Sequence, residues 1–201
     1  MCAHRPSTAP DFLLSRAHGS IRTQGAQKTF SDPWEAIEAL HNGTADLVVG
    51  ALPFRRDHAC ALTVPETVIR EEGPLEPHAY YRHGEGSIMH AHLDALVPEL
   101  DEHRDRVIAA IETLKASTLE KVVLARAVDM RFDPPVDPRL IAARLIDLSQ
   151  NRDGFIADLS PAGEDFVGAM LVGSSPEVLI KKTGVNDFRV PISRFGSPQR
   201  R

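Results

Sequence analysis

The chain has 201 residues, enough for one sizeable domain with a buried core, and its 42% hydrophobic and 25% charged residues are typical of globular proteins. Its net charge of −5 gives no electrostatic reason to expect nucleic acid or an anionic membrane as a partner. Two cysteines are too few for a disulfide framework, and we find no signal peptide and no apolar run of transmembrane length. These features predict a cytoplasmic protein.

Residues 1–92 are predicted to form a variable N-terminal region. Asp32 can cap a helix whose first position suits Pro33, and Gly43 stands where that helix would end. The apolar side of this helix is predicted to comprise Trp34, Ala36, Ile37 and Leu40. Strands are predicted at 12–15, 46–52 and 63–70, the last of them at a sheet edge because Pro65 interrupts it.

Residues 71–92 show neither the period of a strand nor that of a helix, and we interpret them as a long surface connection. Several of the nine histidines fall here, and all nine lie at or before His103. No acidic residue or cysteine stands at a convincing ligand spacing from them, so we interpret them as solvated side chains and not as metal ligands.

Residues 93–201 are predicted to form the first part of a second domain. A helix over 99–117 has apolar residues at helical spacing, and Asp137 followed by Pro138 opens a second helix. Strands then follow at 154–159, 166–173 and 177–182, joined by short turns as in an antiparallel meander. The expected fold is α+β, with antiparallel β-sheet layers flanked by helices.

Residues 120–126 are predicted to form a short buried β-strand, because they are rich in Val and Leu and follow the 99–117 helix. Lys121 is the exception within it, and apolar neighbours on its face would disfavour its charged form and lower its pKa. A lysine tuned in this way can act as a general base near neutral pH. The alternative is a lysine whose stem is buried while its ammonium group reaches water.

Glu177 follows the sequence Gly173-Ser174-Ser175-Pro176, which predicts a turn between two strands. The carboxylate would therefore project from the start of a strand. It is either an ordinary exposed acid or a group with a chemical role, and the residues by themselves favour the first interpretation.

Three motifs in order resemble those of the chorismate-binding enzymes. Residues 121–126, KVVLAR, resemble the central motif of that family, and 171–180, LVGSSPEVLI, resemble its second motif. Residues 49–54, VGALPF, are similar to a segment of the isochorismate synthases that serve catechol siderophore synthesis. The resemblance covers most of the chain. It implies chorismate as the substrate and residues 93–201 as the first part of the catalytic domain.

The resemblance also implies roles for two residues. The lysine at the position of Lys121 would activate a water that attacks C2 of chorismate, and the glutamate at the position of Glu177 would protonate the departing 4-hydroxyl group. Burial would favour the neutral lysine and the protonated glutamate that these roles need. Family members that use ammonia usually lack this lysine, so its presence favours an isochorismate synthase or a salicylate synthase, and the VGALPF segment favours the isochorismate branch. The same segment favours the siderophore type, although these residues do not decide between siderophore and menaquinone synthesis.

The resemblance weakens after Gly184. The family continues with a Pro-Leu-Ala-Gly-Ser/Thr motif, whereas this chain has extra residues between Pro191 and the pair Gly196-Ser197, which we take as candidate substrate-binding residues. The family's second half holds the Mg²⁺ ligands and the groups that bind the carboxylates of chorismate. We therefore expect a truncated, inactive isochorismate synthase with no metal ligands in this chain. The alternatives are a degraded or frameshifted fragment and a binding domain that kept the scaffold without the chemistry.

Overall fold

A computed structural model describes residues 9–75, 90–185 and 187–189. The chain divides into two compact units, which are described separately below. The first comprises residues 1–83 together with 138–201, and the second comprises 84–137. The domain boundary at residues 92 and 93 stays a prediction, because the two units are defined by packing and not by function.

A five-stranded antiparallel sheet forms the centre of the first unit. In chain order its strands are β1 (Phe12–Arg16), β2 (Gly19–Gln24), β6 (Thr67–Glu71), β9 (Gly154–Asp158) and β10 (Met170–Gly173). In space their order is β10-β9-β1-β2-β6. The first strand of the chain therefore pairs with a strand that follows more than a hundred residues later, Ser15 lying opposite Gly154.

Helix α3 (Pro138–Leu148) packs against β9 and β10 and closes the main core. The core cluster combines two sheet residues, Leu13 and Ile156, with Leu75 and two helix residues, Ala142 and Ile146. Alternation in β1 explains the contribution of the sheet, because Leu13 and Ser15 on one face are buried while their neighbours are half-buried. The helix expected at Asp137-Pro138 is confirmed, but sequence reasoning missed Ile146, its most buried residue.

A second core in the same unit lies between α1 (Pro33–His41) and a three-stranded sheet of order β3-β5-β4. The strands are β3 (Lys28–Phe30), β4 (Val49–Ala51) and β5 (Ala61–Val64). The predicted cap is confirmed, because the Asp32 carboxylate accepts from the amide of Trp34 at 2.9 Å. The predicted apolar side is wrong apart from Ala36, because the helix packs through small residues on Phe30 and leaves its large apolar side chains exposed: Trp34, Ile37 and Leu40.

The strand predicted over 63–70 is two strands, since β5 ends before Pro65 and β6 begins after it in the other sheet. The expected edge position is correct for β6, which is the last strand of its sheet. Proline lacks the N–H that a continuous ladder needs, so the chain changes sheets at this residue.

The second unit contains an antiparallel pair, β7 (Ala91–Val97) and β8 (Ala127–Phe132), and helix α2 (Leu100–Ala116). The helix confirms the prediction over 99–117, but no side chain of it is buried. A further short hairpin, β11 (Lys181–Thr183) with β12 (Asp187–Arg189), belongs to the first unit. No helix within the described residues is both long and apolar enough to span a lipid bilayer.

Candidate active site

Lys121 lies in the second unit, in a segment without regular secondary structure. The buried strand predicted over 120–126 is wrong, because the strand begins only at Ala127, where β8 finds β7 as its partner. Lys121 and the four residues after it are exposed, and the side chain of Val123 is 77% exposed. The apolar surroundings expected around Lys121 are thus not assembled by the described residues of this unit.

Arg126 is the last residue of the segment 120–126, which we call the lysine segment, and it anchors that segment. Its side chain is half-buried, and Nη2 donates to the backbone carbonyl of Pro98 at 3.3 Å. Pro98 immediately follows β7, so this contact fixes the end of the segment beside the strand with which β8 pairs. The Nε atom of Arg126 is buried and has no hydrogen-bond partner among the residues that the structure describes.

Glu177 lies in the first unit, in a loop over 174–180 that connects β10 to β11. The strand predicted over 177–182 is therefore wrong for its first part, and the meander is limited to the pairing of β9 with β10. The turn predicted at 173–176 is not formed, because the residues from 174 to 178 have no regular turn, and the side chain of Glu177 is exposed. The burial that an acid role would favour is not provided by the described residues.

Residues remote in sequence hold the loop that carries Glu177. The Nη1 atom of Arg16 donates to the backbone carbonyl of Ser175 and, at 3.1 Å, to the carboxylate of Asp153. The hydroxyl of Ser174 donates to the backbone carbonyl of Asp153 at 2.7 Å, and the amide of Glu177 donates to the hydroxyl of Ser175 at 3.3 Å. Sequence reasoning missed Arg16 and Asp153, because no pattern in the chain links β1 to the motif at 171–180.

The glycine of the VGALPF segment is required by the close packing of two strands. Gly50 has φ +142°, and a Cβ added there would lie 1.9 Å from the backbone oxygen of Ala61. The residue lies opposite Leu62 in the pairing of β4 with β5, so only glycine lets the two strands approach this closely. The side chains of Leu52 and Phe54, later in the segment, are exposed.

No group of three or more potential metal-ligating side chains (His, Cys, Asp or Glu) occurs within residues 9–75, 90–185 and 187–189. A magnesium site built from such a cluster is therefore not assembled within these residues. The candidate substrate-binding residues Gly196 and Ser197 lie outside the described residues. Lys121 and Glu177 belong to different units, so the structure describes the surroundings of each but not their mutual geometry.

Comparison with protein families gives a match to the model described as "Chorismate binding enzyme" over residues 78–188. A Mycobacterium tuberculosis (strain H37Rv) protein, provisionally named isochorismate synthase MenF, is 35% identical over 189 residues, which are 92% of this chain and 49% of that protein. Isochorismate synthase DhbC of Bacillus subtilis is 30% identical over 149 residues, or 73% of this chain and 36% of that protein.

A solved structure shares the fold. The crystal structure of a Bacillus anthracis protein, provisionally named the 2,3-dihydroxybenzoate-specific isochorismate synthase DhbC, superposes with a TM-score of 0.62 at 24% identity. The match covers 87% of this chain and 46% of that chain. The present chain thus spans about half the length of the curated M. tuberculosis relative and of this solved structure.

Proposed function

Because this chain belongs to the chorismate-binding enzymes, we propose that it carries the catalytic pair of an isochorismate synthase whose substrate is chorismate. The observation that carries the proposal is the lysine of the KVVLAR motif, Lys121, in a chain similar to proteins named isochorismate synthase. The matched part of the chain is 49% of the M. tuberculosis relative and 36% of the B. subtilis relative, so the activity of a whole enzyme is part of the proposal.

The proposed reaction exchanges one hydroxyl group for another. Neutral Lys121 takes a proton from a water molecule as the water oxygen forms a bond to C2 of chorismate. The ring double bonds shift, the bond from C4 to its hydroxyl oxygen breaks, and Glu177 supplies the proton with which that group leaves as water. One water enters and one leaves, and the proton gained by the lysine returns to the glutamate through solvent before the next turnover.

Both side chains are exposed in the structure, so the proposal requires that they become buried in the active enzyme. General acid–base catalysis is efficient when each group has a pKa near the working pH, and burial is what tunes a lysine and a glutamate in that direction. The lysine segment and the Glu177 loop are exposed in their own units. We therefore propose that further protein surface covers both of them in the active enzyme.

We also propose that the active enzyme uses Mg²⁺ as its cofactor. Mg²⁺ takes oxygen ligands in a near-octahedral arrangement, and the described residues bring no such group together. Any ligands would come from outside the described residues, and no step above passes through the metal.

The test uses the 201-residue chain and a chimera that joins it to the remaining half of the M. tuberculosis MenF relative. We expect no turnover of chorismate by the chain alone, because both proposed catalytic side chains are exposed, and Mg²⁺-dependent formation of isochorismate by the chimera. Product chromatography distinguishes isochorismate from salicylate. Saturable turnover by the chain alone would show that its own residues, or a second copy, complete the site.

Replacement of Lys121 tests the base. In the chimera, Lys121→Ala should lower kcat by at least about a hundredfold, since a positioned general base contributes roughly a hundredfold to ten-thousandfold. Lys115→Ala removes another exposed lysine of the same unit and should leave kcat unchanged. Near-normal turnover by Lys121→Ala would refute the assignment of the base.

Replacement of Glu177 tests the acid separately. Glu177→Gln keeps the shape of the side chain but cannot donate the proton, so kcat should fall by at least about a hundredfold while chorismate still binds. Glu164→Gln, at an exposed carboxylate of the same unit, is the matched control. Equal turnover in both variants would return Glu177 to the role of an ordinary surface acid.

A further inference from the structure

The loop over 174–180 has no regular secondary structure, yet a general acid must be held in place to act. The loop directly follows β10, whose pairing with β9 ends at Gly173. Beyond that point the described hydrogen bonds to the loop come from outside the two strands or from within the loop itself. The guanidinium of Arg16, at the end of β1, provides the bonds that come from the side chain of a distant residue.

Arg16 reaches two successive parts of the loop. Its Nη1 atom donates to the carbonyl of Ser175, and its Nη2 atom lies 3.5 Å from the carbonyl of Glu177, at the outer limit of a hydrogen bond. The two carbonyls lie on either side of Pro176. A planar guanidinium with donors at fixed angles suits such a double contact, whereas an ammonium group does not.

Arg16 is itself held by Asp153, the residue that precedes the neighbouring strand β9. Nη1 lies 3.1 Å from Oδ1 of Asp153, and the side chains of Arg16 and Asp153 are only 29% and 8% exposed. The Asp153 amide in turn donates to the hydroxyl of Ser149 at 3.0 Å. An ion pair with one partner this buried has a fixed geometry, because either charge would be costly to leave without the other.

The residue before Arg16 fixes the strand end. Ser15 is fully buried, and its hydroxyl donates to the carbonyl of Arg152 at 2.7 Å and accepts from the amide of Leu75 at 2.9 Å. Together with the sheet pairing of Ser15 and Gly154, these bonds place the end of β1 against the turn that precedes β9. The guanidinium therefore extends from a rigid support.

We propose that Arg16 is a positioning residue for the proposed acid: through its contacts with Asp153 and with the carbonyls on either side of Pro176, it fixes the backbone from which Glu177 projects. This assignment rests on the proposed function for the role of Glu177, but the contacts themselves do not. A purely structural Arg16 would only neutralise the buried Asp153, and its loss would then affect the whole unit and not the loop in particular.

The first measurement is hydrogen–deuterium exchange of the 201-residue chain. Arg16→Gln should raise the exchange rate of the Glu177 amide, which donates to the Ser175 hydroxyl within the loop, by at least about tenfold, while the amides of β2 and β6 change less than about twofold. Arg16→Lys keeps a charge beside Asp153 but not the double contact, so the Glu177 amide should still exchange faster while the free energy of unfolding recovers. Arg22→Gln is the control, since Arg22 on β2 pairs at 3.4 Å with the exposed Glu71.

A second variant keeps the test decisive if Arg16→Gln fails to fold. The double variant Arg16→Gln with Asp153→Asn leaves no unpaired buried carboxylate, so it should fold and still show the faster loop exchange. Unchanged exchange of the Glu177 amide in whichever of these variants folds would overturn the proposal. A uniform rise across β1, β9 and the loop would also overturn it, because that is the result of a structural role alone.

The kinetic measurement uses the chimera. Arg16→Gln should lower kcat by about 10- to 100-fold with KM changed less than about threefold, since a small misplacement of a reacting group costs rate more than binding. A chimera that makes no isochorismate would refute the proposed function while the exchange result still decides on Arg16. An active chimera whose Arg16→Gln variant keeps both its loop exchange and its kcat would refute the role of Arg16 alone.

Discussion

Replacement of Gly50 by alanine should be one of the most damaging single-methyl additions in the described part of the chain. Its φ of +142° is a conformation that residues with a side chain rarely adopt, which costs about 1–3 kcal/mol. The new Cβ would also lie 1.9 Å from the oxygen of Ala61, where real separations are at least 3.0 Å. That oxygen is backbone, so the two paired strands must separate.

The second contribution is the cost of overpacking. Forcing an extra methyl group into a packed site typically costs about 1–3 kcal/mol. The sum predicts a loss of about 2–6 kcal/mol from a domain whose total stability is on the order of 5–15 kcal/mol. A fraction of the Gly50→Ala molecules should therefore be unfolded at 37 °C.

Gly43 offers a matched control for the backbone contribution alone. It has φ +73°, but an added Cβ would meet nothing within 4 Å. Gly43→Ala should thus cost only about 1–2 kcal/mol. Urea unfolding followed by circular dichroism measures both variants, and equal losses at the two positions would refute the close approach of Gly50 to Ala61.

Two further predictions concern buried polar groups of the first unit. Burial raises the pKa of the Cys60 thiol above its ordinary value of 9.0, so iodoacetamide should label Cys60 slowly at pH 8 until urea unfolds the chain. Because the folded thiol keeps its proton to higher pH than the unfolded one, its contribution to stability is complete below about pH 9 and declines above it, as urea unfolding at pH 7 and pH 10 would show. Arg139, only 6% exposed, donates to the carbonyl of Pro10 at 2.6 Å and to the carboxylate of Asp11 at 3.2 Å. Arg139→Met should lower the free energy of unfolding by about 1–3 kcal/mol in the same assay, with Arg139→Lys intermediate.

The helices were predictable because their signals are local. An Asp before a Pro marks the start of α1 and of α3, and each signal acts within one turn of the chain. Which face of α1 would be buried was not predictable in the same way. The sheet beneath it presents Phe30, and a large aromatic ring leaves room only for Ala36 and Ala39 opposite.

Strands were predicted less well, because a strand exists only where a partner lies beside it. The apolar run over 120–126 has the composition of a strand but no partner among the described residues, whereas the more polar β8 pairs with β7 along its whole length. For the same reason β2 and β3, which are rich in polar residues, were missed altogether. The contact of Arg16 with the loop that carries Glu177 likewise depends on the pairing of β1 with β9, which no local pattern indicates.

A final prediction distinguishes an exposed segment over 120–126 from the buried strand that the sequence predicts there. If 120–126 were a buried strand in this chain, a thiol in place of Val123 would react slowly; in the structure Val123 is 77% exposed. In a background without Cys2 and Cys60, Val123→Cys should react with iodoacetamide at the rate of an unfolded thiol.

The matched control is Val49→Cys, at a position only 7% exposed in β4, which should react at least about a hundredfold more slowly because reaction there requires an opening of the fold. Equally slow labelling at both positions would refute the exposed segment and restore the buried strand. In the active chimera, the proposed burial of Lys121 predicts the opposite labelling result from that in the chain alone. Val123→Cys should there become protected, and protection that appears together with chorismate turnover would link burial of this segment to its chemistry.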